Sequence, residues 1–309
     1  MSDFVQQQNS ICDFATSDSW VILSPIEQSI KKKIEAVGTP LKDWDINIYR
    51  GVLTGCNEAF IIDSEKRDEI LANCQTEDER QRTVELIRPI LRGRDIKRYG
   101  YDWANLYLIA TFPSCHYDID RYPAVKQYLL SFGIERLEQT GKTHVIDGEK
   151  VKARKKTNNK WFETQDSISY WEDFNKPKIV YGQFQDGAEY SFAEEGVMLS
   201  SNEYLLITHN YSSKCLLAFL NSKASEWMLG NITGSLGGNV KIGQKSNFLK
   251  LPVAQLSCAQ QTEFEKIVDK ILSAKKANEN TTKNEEIIEG MIYSVYGLTN
   301  DEIKVIKNG

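Results

Sequence analysis

Three stretches of this chain concentrate side chains able to grip a polyanion. Between residues 142 and 160 lie Lys142, Lys150, Lys152, Arg154, Lys155, Lys156 and Lys160, against only Asp147 and Glu149. Gly141, Gly148, Asn158 and Asn159 share the stretch, so it reads as a mobile loop ending at Trp161-Phe162. Its cations suit phosphate contact, and an asparagine beside lysines adds hydrogen bonding to base edges. The plain alternative is a solvated charged loop. Arg88, Arg92, Arg94, Lys97 and Arg98 form a second cluster around Pro89 and Gly93. Arginines across a helix end and a glycine turn can present planar donors to phosphate or guanine. Alternatively, Asp95 and nearby acids pair with them to fix the turn. The third stretch, residues 233 to 247 (TGSLGGNVKIGQKSN), combines flexible backbone with the donors Lys241, Gln244 and Lys245. Exposed amides there could cradle a phosphate oxygen, although the spacing is not that of a Walker loop or a dinucleotide fingerprint.

Bond-making chemistry has thinner support. A magnesium nuclease of the common restriction type needs an acid followed at some distance by acid-x-Lys. Asp95-Ile96-Lys97 and Glu302-Ile303-Lys304 supply the three-residue half, as such triplets do by chance in a chain that is 26% charged. No Pro-Pro pair occurs, so the Asn-Pro-Pro-Tyr motif that holds an amino group for methyl transfer is missing, and so is a glycine fingerprint for S-adenosylmethionine. There is no nucleophile elbow, and His116, His144 and His209 read as structural or surface residues. Cys12, Cys56, Cys74, Cys115, Cys215 and Cys258 form no CxxC pair, which argues against structural zinc and a disulfide framework. The expectation is a chain without a catalytic centre, metal or cofactor.

The net charge of −5 argues against a protein that coats nucleic acid indiscriminately, but leaves room for a local basic groove. No apolar run approaches the ~20 residues needed to span a bilayer. MSDFVQQQNS lacks a basic start and an apolar stretch, so it is not a signal peptide, and a cytoplasmic protein without a membrane partner is expected.

The elements that must position these residues follow from pattern. Residues 1–18 read as a loose leader. Ser24-Pro25-Ile26-Glu27 combines a cap, a first-turn proline and a capping-box glutamate. With Ile26, Ile30, Ile34 and Val37 at helical spacing and Gly38 as the stop, it predicts a helix over 24–37. Trp44, Ile46 and Ile48 alternate with polar positions as in a half-buried strand. Gly51 and Thr54-Gly55 then lead to the apolar run Ala59-Phe60-Ile61-Ile62, which predicts a β-hairpin. Further strands are predicted at 106–112, 178–184 and 204–209, and helices at about 65–73, 79–91, 122–132 and 213–229. Strands that do not alternate regularly with helices favour α+β over a doubly wound sheet. From Ala259 two apolar stripes follow, Phe264, Ile267, Val268, Ile271, Leu272 and then Ile287, Ile288, Met291, Ile292, Val295. They predict terminal helices that pack on a neighbour.

Six segments occur in order: RGVLTGCNEAF from Arg50, ILRGRDIKRY from Ile90, KWFE from Lys160, KPKIVY from Lys176, LAFLNSK from Leu217 and LKLP from Leu249. Together they resemble the TaqI-like C-terminal specificity domain of type IIG restriction-modification enzymes and related adenine methyltransferases, over roughly residues 20–255. Val295-Tyr296-Gly297-Leu298-Thr299 with Asp301-Glu302-Ile303 resembles the C-termini of such enzymes. Cys56 departs from the polar residue often found at the family's glycine turn.

The resemblance implies a mixed-sheet target-recognition domain, similar to the recognition domains of type I specificity subunits, with a C-terminal helical extension. The implied division is 1–18 leader, 19–256 recognition domain and 257–309 extension. It also implies binding of double-stranded DNA on behalf of methyltransferase and nuclease domains of the same or a companion chain. Gly51, Gly55, Gly93, Pro177, Pro252, Asn221 and Lys223 are expected to be architectural. The expected DNA-binding residues are Lys152, Arg154, Lys155, Lys156, Asn158, Asn159 and Lys160, then Arg94, Lys97 and Arg98, then Lys241, Gln244 and Lys245. The rival readings are a scaffold that docks through its helices and a cryptic magnesium nuclease using an acid-x-Lys triplet.

Overall fold

The computed structural model describes residues 23–146, 148–183, 187–233 and 245–308. The expected leader, Lys241 and Gln244 lie outside the described residues. Helix α1 (Pro25–Val37) starts as its sequence predicts. The Glu27 amide donates to Ser24 Oγ, and the Glu27 carboxylate accepts from the Ser24 amide at 2.7 Å. Ile30 and Ile34 point into the core. Gly38 ends the helix in extended backbone (φ −85°) and begins strand β1 (Gly38–Pro40), which pairs antiparallel with β14 (Pro252–Ala254). A Cβ at Gly38 would come within 2.8 Å of Pro252, so glycine is needed for that close approach.

The alternation at 44–49 produces β2 (Ile46–Arg50), but not the expected hairpin. β2 pairs with the distant β13 (Glu203–Thr208), completing the order β11 (Tyr190–Ala193), β10 (Lys178–Gly182), β13, β2. Residues 57–60 form a helical turn, α2 (Asn57–Phe60), and β3 (Ile61–Asp63) joins another sheet. The glycines explain the difference. A Cβ at Gly51 would lie 2.0 Å from the Ser200 carbonyl, and the Val52 amide donates to Leu199 O at 2.7 Å. Gly51 serves the approach to the 199–200 segment, and Gly55, at a φ of +76°, lies against Gln165 and Arg154, so neither makes a two-residue turn.

The second sheet has the order β12 (Met198–Leu199), β4 (Ile87–Leu91), β7 (Leu106–Ile109), β3, with β12 parallel to β4 and the other pairs antiparallel. Helices α3 (Ser64–Ala72), α4 (Glu77–Leu86) and α5 (Pro123–Leu130) accompany it. The helix predicted over 79–91 stops at Leu86. Pro89 disfavours helical backbone at Arg88 and lacks the N–H that a helix interior requires. The chain therefore turns extended there.

The central sheet separates two cores. Ile48, Ile179, Tyr181 and Leu206 face a helical core, whereas Val180, Leu205 and Ile207 face the second sheet. The helix predicted over 213–229 is two, α7 (Ser213–Leu220) and α8 (Lys223–Thr233), broken at Asn221. The Asn221 amide accepts from the Tyr190 amide and donates to its carbonyl, at 3.0 and 2.8 Å. The short helices α6 (Ile134–Leu137) and α9 (Lys245–Phe248) precede α10 (Cys258–Lys276), α11 (Thr282–Val295) and α12 (Asn300–Asn308). The terminal apolar stripes find their neighbour within the chain. Phe264, Val268, Ile271, Ile288 and Ile292 are buried in the same core as Ile30 and Ile34. The architecture is α+β with a C-terminal helical region, as the sequence predicts.

Candidate nucleic-acid interface

The basic stretch 142–160 is not a free loop. Thr-His-Val-Ile and Glu-Lys-Val-Lys flank an Asp-Gly pair, and they form a hairpin of β8 (Thr143–Ile146) and β9 (Glu149–Lys152). Gly148 takes a φ of +84° at the turn, a conformation glycine adopts without penalty. At the hairpin's base the Gly141 amide donates to Arg154 O at 2.8 Å, and the Ala153 amide to Lys142 O at 2.9 Å. His144 Nε2 lies 2.6 Å from Glu138 Oε1.

Arg154 is the post on which this region stands. It is 4% exposed. Its Nε donates to Leu137 O at 2.7 Å, and its Nη1 to Thr54 O and Glu163 O at 2.8 and 2.7 Å. Nη2 donates to Trp161 O at 2.6 Å. The guanidinium lies 5.0 Å from the centroid of the Phe60 ring. Burial pulls its pKa down to about 10, so it stays charged at neutral pH. Expected as a phosphate ligand, Arg154 is instead withdrawn from solvent, because the 54, 137 and 161–163 backbones converge on its donors.

The residues after it are pinned as well. Thr157 Oγ1 donates to Gln139 Oε1 at 2.8 Å, and Gln139 Nε2 donates to Glu163 O at 3.1 Å. Asn159 Nδ2 donates to Gln165 O at 2.9 Å, which occupies the amide expected to read bases. Lys142, Lys150, Lys152, Lys155, Lys156, Asn158 and Lys160 remain exposed. Lys160 Nζ lies 5.4 Å from the centroid of the Phe162 ring.

In the second cluster the arginines divide. Asp95 accepts from the Arg92 amide at 2.9 Å and from its Nε and Nη2 at 3.0 and 2.8 Å. Those contacts hold its carboxyl below the ordinary value despite burial. Arg98 pairs with Glu285 at 2.6 Å and Glu289 at 3.6 Å, and it also donates to Asn221 O. It therefore ties β5 (Ile96–Lys97) and β6 (Gly100–Tyr101) to α11 rather than offering itself to DNA. Arg94 and Lys97 stay exposed. In the third stretch Lys245 Nζ donates to Ile48 O at 3.0 Å.

Both acid-x-Lys triplets have their acids engaged within the fold. Asp95 serves Arg92, as above. Glu302 accepts from Ser29 Oγ and Lys33 Nζ, each at 2.7 Å, and from the Thr299 amide at 2.7 Å. Among the described residues no group of three His, Cys, Asp or Glu side chains is placed to hold a metal ion, and no helix is long and apolar enough to cross a membrane.

Sequence reasoning passed over two features. Lys178 is fully buried, and its Nζ donates to Phe174 O, Glu194 O and Lys176 O at 2.8, 2.8 and 3.2 Å. Its position within the apolar run KPKIVY was the available signal. Val145, 69% exposed, stands on the hairpin, and the β-branched alternation about Asp-Gly could have revealed that strand pair.

The TaqI-like C-terminal specificity domain family matches residues 88–253. No curated protein matches the chain. The type IIG restriction endonuclease BpuSI has a similar crystal structure, with TM-score 0.51 and 13% identity over 89% of this chain and 34% of that one. The type IIL restriction-modification enzyme MmeI, solved in complex with DNA, gives TM-score 0.54 and 13% identity over 86% of this chain and 35% of that one. The chain thus spans about a third of the length of these structures.

Proposed function

The chain belongs to the TaqI-like C-terminal specificity domain family, and on that premise we propose that it is a DNA target-recognition module of a restriction-modification enzyme. In this reading it chooses a double-stranded sequence for methyltransferase and nuclease domains placed in the same or a companion chain. It performs no catalysis itself, holds no cofactor, and acts in the cytoplasm. The observation that carries the proposal is the exposed set Lys142, Lys150, Lys152, Lys155, Lys156, Asn158 and Lys160, displayed on backbone that buried Arg154 fixes. Cations on rigid backbone hold phosphates in a set register, and neighbouring polar groups then meet base edges. Arg94 and Lys97 extend the phosphate contact. Lys241, Gln244 and Lys245 complete it as the third basic surface.

The scaffold reading loses most of its surface, since the helical stripes it needs, Ile287 apart, are buried or partly buried within the chain. The nuclease reading loses its ligands, since Asp95 and Glu302 are engaged by Arg92 and by Ser29 and Lys33.

The test is selection of duplexes from a random pool at two salt concentrations, with sequencing of the retained DNA. An enriched motif with steep salt dependence is expected. Backbone grip alone would bind at ~10⁻⁴ to 10⁻⁶ M without a motif. Absence of retention at either salt would overturn the reading, and cleavage of plasmid in magnesium would reinstate the nuclease.

A further inference from the structure

We propose that the β8–β9 hairpin is the element that enters the DNA major groove, with Val145 packed against a thymine methyl group and Lys150 reading an adjacent guanine. This inference rests on the DNA-recognition reading and assigns it to particular atoms.

The register of the hairpin sorts its side chains onto two faces. Thr143 pairs with Lys152 and Val145 with Lys150, so these four share one face. His144, Ile146, Glu149 and Val151 share the other. The second face turns toward the protein body at the base of the hairpin, where His144 meets Glu138 and both His144 and Val151 are partly buried, while Ile146 and Glu149 nearer the turn are exposed. The first face is exposed at all four positions. Val145, at 69%, is the most exposed large hydrophobic among the described residues. A two-stranded ribbon is marginally stable alone. This one is held at its base by the 141–154 and 153–142 backbone pairs and by the Arg154 carbonyl contacts. The Gly148 turn meets open space, with nothing within 4 Å of a Cβ built there.

An anchored ribbon with a free face matches the major groove, which is about 12 Å wide and admits a two-stranded β-ribbon. The chemistry of the face matches too. The major groove displays the thymine C5 methyl for apolar contact and the O6 and N7 acceptors of guanine for a cation. Valine beside lysine offers one partner for each.

The experiment uses the whole chain and the duplex enriched from the random pool. Each thymine is replaced in turn by uracil, which removes the methyl, and each guanine by 7-deazaguanine, which removes N7. Binding is measured for the wild type, V145S and K150A, whose solvent-facing positions leave folding intact, as thermal melting would verify. The wild type should lose about tenfold in affinity at one uracil position and at one neighbouring 7-deazaguanine position. V145S should abolish the first sensitivity and K150A the second. A wild type that retains no duplex removes the recognition reading and this inference with it. A wild type that binds while V145S and K150A keep its affinity and both analogue sensitivities leaves recognition standing and overturns the role of the hairpin alone.

Discussion

Arg98 Nε donates to Glu285 Oε2 across 2.6 Å, joining the strand pair that follows the Arg92 turn to a helix nearly two hundred residues later. The pair is mostly shielded, and Glu289 stands close by. R98A leaves Glu285 with only Lys275, at 3.7 Å, and takes from Glu289 its ion-pair partner. It should destabilise the protein by about 1–3 kcal/mol, seen as a lower midpoint in denaturant unfolding. DNA affinity measured below the unfolding transition should be unchanged. A selective loss of DNA affinity with unaltered stability would return Arg98 to the binding surface.

R154A removes a cation and takes a donor from the Leu137, Thr54, Trp161 and Glu163 carbonyls, of which Glu163 O keeps Gln139 Nε2. A cost of about 3 kcal/mol or more is expected, with R154K recovering only part because an ammonium cannot reproduce the fork. Thermal unfolding of the two variants decides this, and equal midpoints would contradict it.

K152A, K155A and K156A act at exposed positions. Each should change stability by less than ~0.5 kcal/mol. Each should also weaken DNA binding evenly across sequences and lower the slope of log affinity against log salt by about 1. A titration of binding against salt reads this directly.

Burial holds the Lys178 ammonium at about 7, against an ordinary 10.5. Between those values the unfolded chain binds more protons than the native protein, so stability rises with pH. A gain of about 2 kcal/mol from neutrality to about pH 9 is expected for this residue. Chemical denaturation at both pH values should show it, and K178M should flatten the difference.

Glu302 runs the opposite way. Its contacts with Lys33, Thr299 and Ser29 outweigh burial and lower its pKa from 4.5 to about 2. The stability it contributes is complete above pH 4.5 and is lost as pH falls through about 2. E302Q should therefore unfold earlier at neutral pH and show a weaker dependence on acid, in thermal melts across that range.

The sequence revealed elements whose local chemistry is self-sufficient and missed those decided at long range. The capping box at Ser24 and the stripe through Ile30 and Ile34 needed only their neighbours. The partner of β2 lies at 203–208, and no local pattern distinguishes it from the apolar run at 59–62. The site shows the same division. Positive charge at 142–160 was legible, but whether an arginine there meets water or carbonyls depends on backbone brought in from Thr54 and Leu137. Arg154 and Lys155 are adjacent and have opposite exposures. The Arg92–Asp95 turn was foreseen as one of two alternatives, because both residues lie within one turn of chain.

The pairing of Gly38 with Ala254, and of β2 with β13, sets a schedule for biosynthesis. A ribosome releasing this chain exposes α1 and β2 long before the strands that complete their sheet exist. The central sheet cannot close until residue 208 has emerged, and the helical core must wait for α11 and α12. Folding should therefore be slow, and apolar faces such as that of α1 will need shielding by chaperones until their partners have emerged.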